Sequence, residues 1–77
     1  MEYTVRYYGQ IAELVDRNEE FIFSEADTIQ RFIKDLIQRH PILKGKTFQV
    51  VQNNQIKREG ALIRKAVIDL LPQFSGG

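Results

Sequence analysis

Cysteine and tryptophan are absent from the 77 residues, and histidine and methionine occur once each. Without cysteine the chain can form neither a disulfide nor a cysteine-ligated zinc site, and His40 cannot build a metal site alone. This scarcity also argues against a self-contained enzyme, because thiols, imidazoles and metal ligands are common catalytic groups. We therefore expect a small, non-catalytic domain that binds neither a metal nor a cofactor.

A strong charge of one sign is also missing. Eleven basic residues oppose ten acidic ones, for a net charge of +1, which gives no support to nucleic-acid binding by bulk charge. The longest apolar run falls far short of the roughly 18 residues that would span a bilayer, and Met1–Thr4 lacks the basic start and apolar block of a secretory signal. These absences predict a cytoplasmic domain with no nucleic-acid or membrane partner.

Three local features that suggest chemistry have simpler interpretations. His40 precedes Pro41 at a predicted helix end, where we expect a solvated cation that favours the helix dipole. Glu19 and Glu20 are consecutive and point to opposite faces of a strand, so they predict a solvated edge and not an acid–base pair. Lys44–Lys46 lacks the rest of a phosphate-binding loop and predicts a soluble turn.

A helix over residues 28–39 is the clearest predicted element. Its apolar stripe consists of Ile29, Phe32, Ile33, Leu36 and Ile37. This spacing places the five side chains on one face of a helix. Asp27 is the predicted N-cap, with Gln30 completing a capping box, and Pro41 ends the helix.

Strands are predicted on both sides of this helix. Before it, residues 3–8 alternate and are broken by Gly9, a short helix follows, and residues 19–24 form a second strand. Phe21 and Phe23 in that strand suggest that both of its faces are at least partly covered. After the helix, the predicted strands cover 47–52, 55–57 and 66–71; Pro72 ends the last of them.

This order predicts an α+β fold in which a mixed sheet of four to five strands packs on one long helix, as in the ubiquitin-like β-grasp. Residues 1–72 form the predicted domain, and residues 73–77 form a flexible Gly-Gly tail. Five extended residues reach about 17 Å, and glycine backbone can enter channels closed to other residues. A free glycine carboxylate can attack the α-phosphate of ATP, and the acyl-adenylate can then pass its acyl group to a sulfur or nitrogen nucleophile. The tail therefore predicts a carrier.

Both ends of the chain resemble a known family. The segments are Val5–Leu14, an aromatic-ended strand running into a short helix, and Leu71–Gly77, which is similar to an aromatic-Pro-Pro-x-x-Gly-Gly ending. With them, the whole chain resembles the MoaD-type small subunit of molybdopterin synthase, within the MoaD/ThiS group of ubiquitin-like sulfur carriers.

Several positions depart from the family pattern. Gln73 replaces the second proline, Lys65 and Ala66 stand where a Gly-Asp pair is usual, and Ala12 stands where many members have arginine. Ser75 stands where a thiamine-type carrier would more usually have a third glycine, which favours the molybdopterin branch.

The resemblance implies that a MoeB-type activating enzyme uses ATP to adenylate Gly77. A sulfur donor then forms the thiocarboxylate, which donates sulfur to a pterin precursor in the large, MoaE-type subunit. The resemblance also implies a set of partner-binding residues, which are Tyr8, Leu71, Pro72, Gln73, Phe74, Ser75 and Gly76. Two placements stay open: Tyr8 and Leu71 either contact the partner or pack in the core, and Phe74 either anchors in a partner groove or folds back onto its own sheet.

Two other functions also remain open. A ubiquitin-like modifier, or a carrier of another pathway such as thiamine synthesis, shares the tail chemistry. A plain interaction domain does not use the tail.

Overall fold

The computed structural model describes residues 1–73, which form five strands, two α-helices and one 3-10 helix. The elements in chain order are β1 (Glu2–Tyr7), α1 (Gly9–Val15), β2 (Glu19–Phe23), α2 (Ile29–Arg39), a 3-10 helix (Pro41–Leu43), β3 (Phe48–Gln52), β4 (Gln55–Lys57) and β5 (Val67–Pro72). The predicted α+β class and the long helix are therefore confirmed.

The strands form one mixed sheet in the order β2-β1-β5-β3-β4. β1 and β5 are parallel, with Tyr7 opposite Leu70, and the other pairs are antiparallel. The first and last strands thus lie side by side in the middle of the sheet, as in a β-grasp fold. β5 is consequently flanked by β1 as far as Leu70 and by β3 as far as Pro72.

The core lies between α2 and one face of the sheet, which we call the helix face. Val5, Ile68 and Leu70 on this face are completely buried, as is Leu36 of α2. The predicted stripe of α2 explains this packing, because an amphipathic helix must bury its apolar side against another element. The opposite side of the sheet is called the open face below.

Helix α2 begins one residue later than its predicted cap implies. Thr28 is the N-cap, and its hydroxyl accepts a hydrogen bond from the Arg31 backbone N–H at 3.3 Å. Asp27 instead lies 4.0 Å from the Arg31 guanidinium, so the predicted capping box of Asp27 and Gln30 is wrong. An isolated bridge to Leu62 holds Thr28 extended, which is the backbone conformation of an N-cap.

The prediction that both faces of β2 are covered is also wrong. Ile22 is buried, whereas Phe21 and Phe23 are 62% and 72% exposed. Helix α2 covers the helix face alone, and strand alternation sends the two phenylalanines to the open face.

The turns agree with the sequence. Asn53 and Asn54 join β3 to β4 with φ of 52° and 64°, a left-handed conformation that asparagine tolerates. Lys44 and Gly45 form the predicted turn.

Pro72 pairs with Phe48 as the last residue of β5, one residue beyond the predicted end. Within residues 1–73, neither α-helix has the length and hydropathy needed to cross a membrane.

Candidate functional site

The end of β5 directly precedes the predicted Gly-Gly tail. Pro72 pairs with Phe48 of β3, and the Tyr8 backbone N–H donates to the Leu70 carbonyl at 3.1 Å. We call this place the tail root, and its residues are Tyr8, Gly9, Phe48, Leu71 and Pro72. β1 flanks β5 as far as Leu70 and β3 flanks it as far as Pro72, so backbone pairing fixes the direction in which the chain reaches Pro72.

Gly9 allows Pro72 to lie against the start of α1. Its φ is +55°, and a Cβ added to it would lie 2.8 Å from Cγ of Pro72. That separation is shorter than carbon atoms tolerate, and the left-handed φ disfavours any side chain. Two independent features therefore favour glycine at position 9: the left-handed backbone and the close approach of Pro72 in the tail root.

We expect Gly9→Ala to lower the free energy of unfolding by about 1–3 kcal/mol, from backbone strain together with the displacement of Pro72. Gly45→Ala is the matched control, because Gly45 also has a left-handed φ of +80° but an added Cβ would meet no atom within 4 Å. Urea denaturation of both variants separates strain from contact. Equal losses would contradict a steric role for Pro72.

Tyr8 and Leu71 are the residues of the tail root that lie on the open face. Tyr8 continues the extended backbone of β1 and is 41% exposed. Leu71 pairs with Gln49 on the open face and is half-buried. The alternative that these two side chains pack in the core is therefore wrong. Gln73 follows and is exposed.

The remaining predicted site residues lie outside the described residues. They are Phe74, Ser75, Gly76 and Gly77. The structure thus brings together Tyr8, Leu71 and Pro72, with Gln73 immediately after them.

A second apolar zone on the open face is not among the sequence predictions. Phe21 and Phe23 project from the edge strand β2, and Val67 lies across β1 from Phe21, since both pair with Thr4. An ion pair between Arg6 and Asp69, at 2.6 Å and 3.1 Å, lies between this zone and Tyr8. The signal is present in the sequence, because Phe21 and Phe23 flank Ile22 and must face away from it.

Glu20 is the centre of a polar cluster on the helix face. Its Oε1 accepts a hydrogen bond from the Tyr7 hydroxyl at 2.8 Å and pairs with Nε2 of His40 at 2.6 Å. Its Oε2 lies 3.2 Å from Arg17 and 3.7 Å from Arg39. The Glu20 side chain is only 9% exposed, so the predictions of a solvated Glu20 and a solvated His40 are both wrong.

This environment shifts two pKa values. Burial raises the pKa of Glu20, but hydrogen bonds from His40 and Tyr7 outweigh it, and the pKa lies below its usual value. Burial and the hydrogen bond to Glu20 raise the pKa of Tyr7, so the phenol keeps its proton and donates it. The cluster ties β1 and β2 to the ends of both helices, since Arg17 follows α1 and His40 caps α2. We interpret it as a structural clamp.

Stability should therefore depend on acid pH through Glu20. With a lowered pKa in the folded state, the stabilisation is complete above the unfolded-state pKa of about 4.3 and is lost as pH falls through the folded value. We expect the free energy of unfolding to fall as the pH drops below the unfolded-state value. Glu20→Gln should flatten this dependence and lower stability at neutral pH by about 1–3 kcal/mol. Glu13→Gln, on the exposed side of α1, is the control, and an equal slope in Glu20→Gln would refute the clamp.

A metal-binding group of three or more His, Asp or Glu side chains does not occur among residues 1–73.

Comparison with known proteins identifies the family. The sequence model of the ThiS family matches residues 5–77, nearly the whole chain. The chain belongs to the ThiS family. The predicted membership of the MoaD/ThiS group of ubiquitin-like sulfur carriers is thereby confirmed, and the match extends through the Gly-Gly end of the sequence.

Several solved structures share this fold. SAMP1 from Haloferax volcanii is similar over 100% of both chains, with 18% identity and a TM-score of 0.81. A putative molybdopterin converting factor, subunit 1, from Pyrococcus furiosus is similar over 96% of this chain and 99% of its own, with 16% identity and a TM-score of 0.82. A complex of subunits 1 and 2 of molybdopterin-converting factor from Helicobacter pylori includes a chain similar over 100% of both, with 22% identity and a TM-score of 0.64. At these identities the likeness establishes the β-grasp fold alone.

Proposed function

We propose that this protein is the sulfur-donating, non-catalytic small subunit of a molybdopterin synthase. The observation that carries the proposal is the match to the ThiS family through the Gly-Gly end, together with a tail root fixed by strand pairing at Pro72. A rigid root presents the following residues to a partner in a defined direction. Ser75 supports the molybdopterin branch over the thiamine branch.

The proposed chemistry uses the Gly77 carboxylate. One carboxylate oxygen attacks the α-phosphate of ATP on a MoeB-type activating enzyme, and pyrophosphate leaves. Sulfide then attacks the acyl carbon of the adenylate and AMP leaves, so that a thiocarboxylate forms. The activating enzyme supplies the ATP site, and this chain supplies the acyl group.

The proposed partner surface is the Tyr8–Leu71 zone with the tail beyond it. Tyr8 and Leu71 offer exposed and half-buried apolar surface beside Pro72, and an aromatic side chain is a frequent anchor in protein interfaces. Gln73, Phe74, Ser75 and Gly76 would lead Gly77 into the MoaE-type large subunit, where the sulfur passes to the pterin precursor. A neighbour of known structure is itself a complex of subunits 1 and 2 of molybdopterin-converting factor, which supports a partner of this kind. We place the reaction in the cytoplasm.

Intact-mass analysis tests the proposal. The purified chain is incubated with ATP, sulfide and an activating enzyme of the same organism. We expect a mass increase equal to the replacement of one oxygen by one sulfur, and no increase when ATP is omitted. An unchanged mass with an activating enzyme that forms adenylate on a control carrier would contradict the proposal.

A protein modifier is the second candidate, because its tail chemistry begins with the same adenylate. The small archaeal modifier protein 1 from H. volcanii is similar over 95% of this chain and 98% of its own, with a TM-score of 0.78 and 16% identity. A modifier ends in an isopeptide bond to lysine, so pull-down under denaturing conditions separates the two functions. Covalent conjugates that survive denaturation would favour the modifier.

A further inference from the structure

An open groove of about 480 Å³, lined by both apolar and polar residues, lies between α2 and the β3–β4 part of the sheet. Ile33 and Ile37 of α2 form one wall, and Leu43 and Phe48 lie along it. Leu43 is fully buried, whereas the other three are only partly buried and pack at the edge of the core. A cavity of about 150 Å³ is enough to hold benzene, so the groove has room for an aromatic ring.

The C-terminal chain reaches this groove at Gln73, which lines it together with Lys46 and Thr47. The β3–β5 register pairs Phe48 with Pro72 in antiparallel fashion. If that register continued for two residues, position 74 would stand opposite Lys46. Gln73, the last residue that the structure describes, therefore brings the chain to the edge of the groove.

The side chains of β5 alternate between the helix face and the open face of the sheet. Ile68 and Leu70 are completely buried on the helix face, and Pro72 occupies the next position in the same row. Side chains two residues apart in a strand share a face, so residue 74 would be the next member of this row if the chain stayed extended. In that extended arrangement its diagonal neighbour would be Phe48, which is partly buried and lines the groove.

We propose that Phe74 binds in this groove of its own domain, in contact with Phe48, Ile33 and Ile37. The tail is then held in cis, and a partner that takes the tail must first displace Phe74. The link between residues 73 and 74 gives the ring a high effective concentration at the groove. The binding itself does not depend on sulfur chemistry; its consequence, a competition between the groove and a partner for the tail, rests on the proposed function.

Methyl NMR spectra of the intact chain and of Phe74→Ala provide the test. We expect the methyl resonances of Ile33 and Ile37 to shift when the ring is removed, and nuclear Overhauser contacts to join the Phe74 ring to both methyls in the intact chain. Phe23→Ala is the matched control, because Phe23 is an exposed aromatic on the opposite face. The control should leave both resonances in place.

Each outcome has a defined meaning. Unchanged Ile33 and Ile37 resonances in a folded Phe74→Ala variant would overturn the proposal and leave the groove to another chain. Shifts that vanish on dilution of the intact protein would also overturn it, because the groove would then hold the tail of a second copy. The sample contains no activating enzyme, ATP or sulfide, so failure of the carrier chemistry cannot affect this result.

Discussion

Removal of Gly76 and Gly77 is expected to abolish sulfur loading and to leave the melting temperature within about 2 °C of the parent value. The loading is lost because the new terminal carboxylate belongs to Ser75, whose Cβ and shorter reach oppose entry into a channel that accepts glycine. The fold is retained because the completely buried side chains and the strand pairs come from residues up to Pro72.

The two readouts are intact mass after incubation with the activating enzyme, and thermal unfolding followed by circular dichroism. Gly60→Ala is the matched control, since it changes a glycine with no atom within 4 Å of an added Cβ and should load normally. A deletion variant that still gains sulfur would show that the Gly77 carboxylate is not the required acceptor. A fall of many degrees in melting temperature would show that the last two residues stabilise the core.

The elements that the sequence predicts well are those decided by local pattern. The apolar stripe from Ile29 to Ile37 predicts α2 because its spacing matches the period of a helix and not that of a strand. Alternation fixes β1 and β5, including the burial of Ile68 and Leu70. Asn53 and Asn54 predict the β3–β4 turn because few residues adopt left-handed backbone easily.

The wrong predictions concern positions whose structure depends on contacts with residues that are distant in the sequence. Thr28, and not Asp27, caps α2 because Thr28 bridges to Leu62. Phe21 and Phe23 are exposed because α2 covers one face of the sheet, which the composition of β2 alone does not reveal.

The same reason explains the clamp at Glu20. The pairing of Val5 with Glu20 turns the carboxylate to the helix face, and the end of α2 brings His40 to within 2.6 Å of it. Neither the register nor the helix packing is a local property of Glu19–Glu20. The tail root is predicted only in part. The tail sequence predicts Leu71 and Pro72 as site residues, but the contact between Gly9 and Pro72 depends on the parallel pairing of β1 and β5.

Gln52→Leu is expected to cause the largest loss of stability. Gln52 is 1% exposed, and its side-chain amide donates to the Lys65 carbonyl at 2.6 Å and to the Val67 carbonyl at 3.0 Å. Its Oε1 accepts from the Arg64 backbone N–H at 3.1 Å. One side chain of β3 thus satisfies three backbone groups of the segment that leads into β5. That segment includes Lys65 and Ala66, where the sequence departs from the Gly-Asp pair usual in the family.

Leucine fills much of the same volume but satisfies none of the three backbone groups. An unsatisfied buried group costs about 1–3 kcal/mol, and part of this is recovered where water reaches the exposed residues Arg64 and Lys65. We expect a loss of about 2–4 kcal/mol, which for a domain of this size lowers the melting temperature by roughly 10–25 °C. That is a large fraction of the stability of a small domain.

The matched control for this prediction is Gln49→Leu, in the same strand but on the open face, where Gln49 pairs with Leu71. It makes the same chemical change without removing a bond to the 64–67 segment, and we expect a change within about 0.5 kcal/mol. Urea denaturation at neutral pH compares the two variants. If Gln52→Leu were as stable as Gln49→Leu, the segment before β5 would be held by its strand pairing alone, and the direction of the tail root would not depend on Gln52.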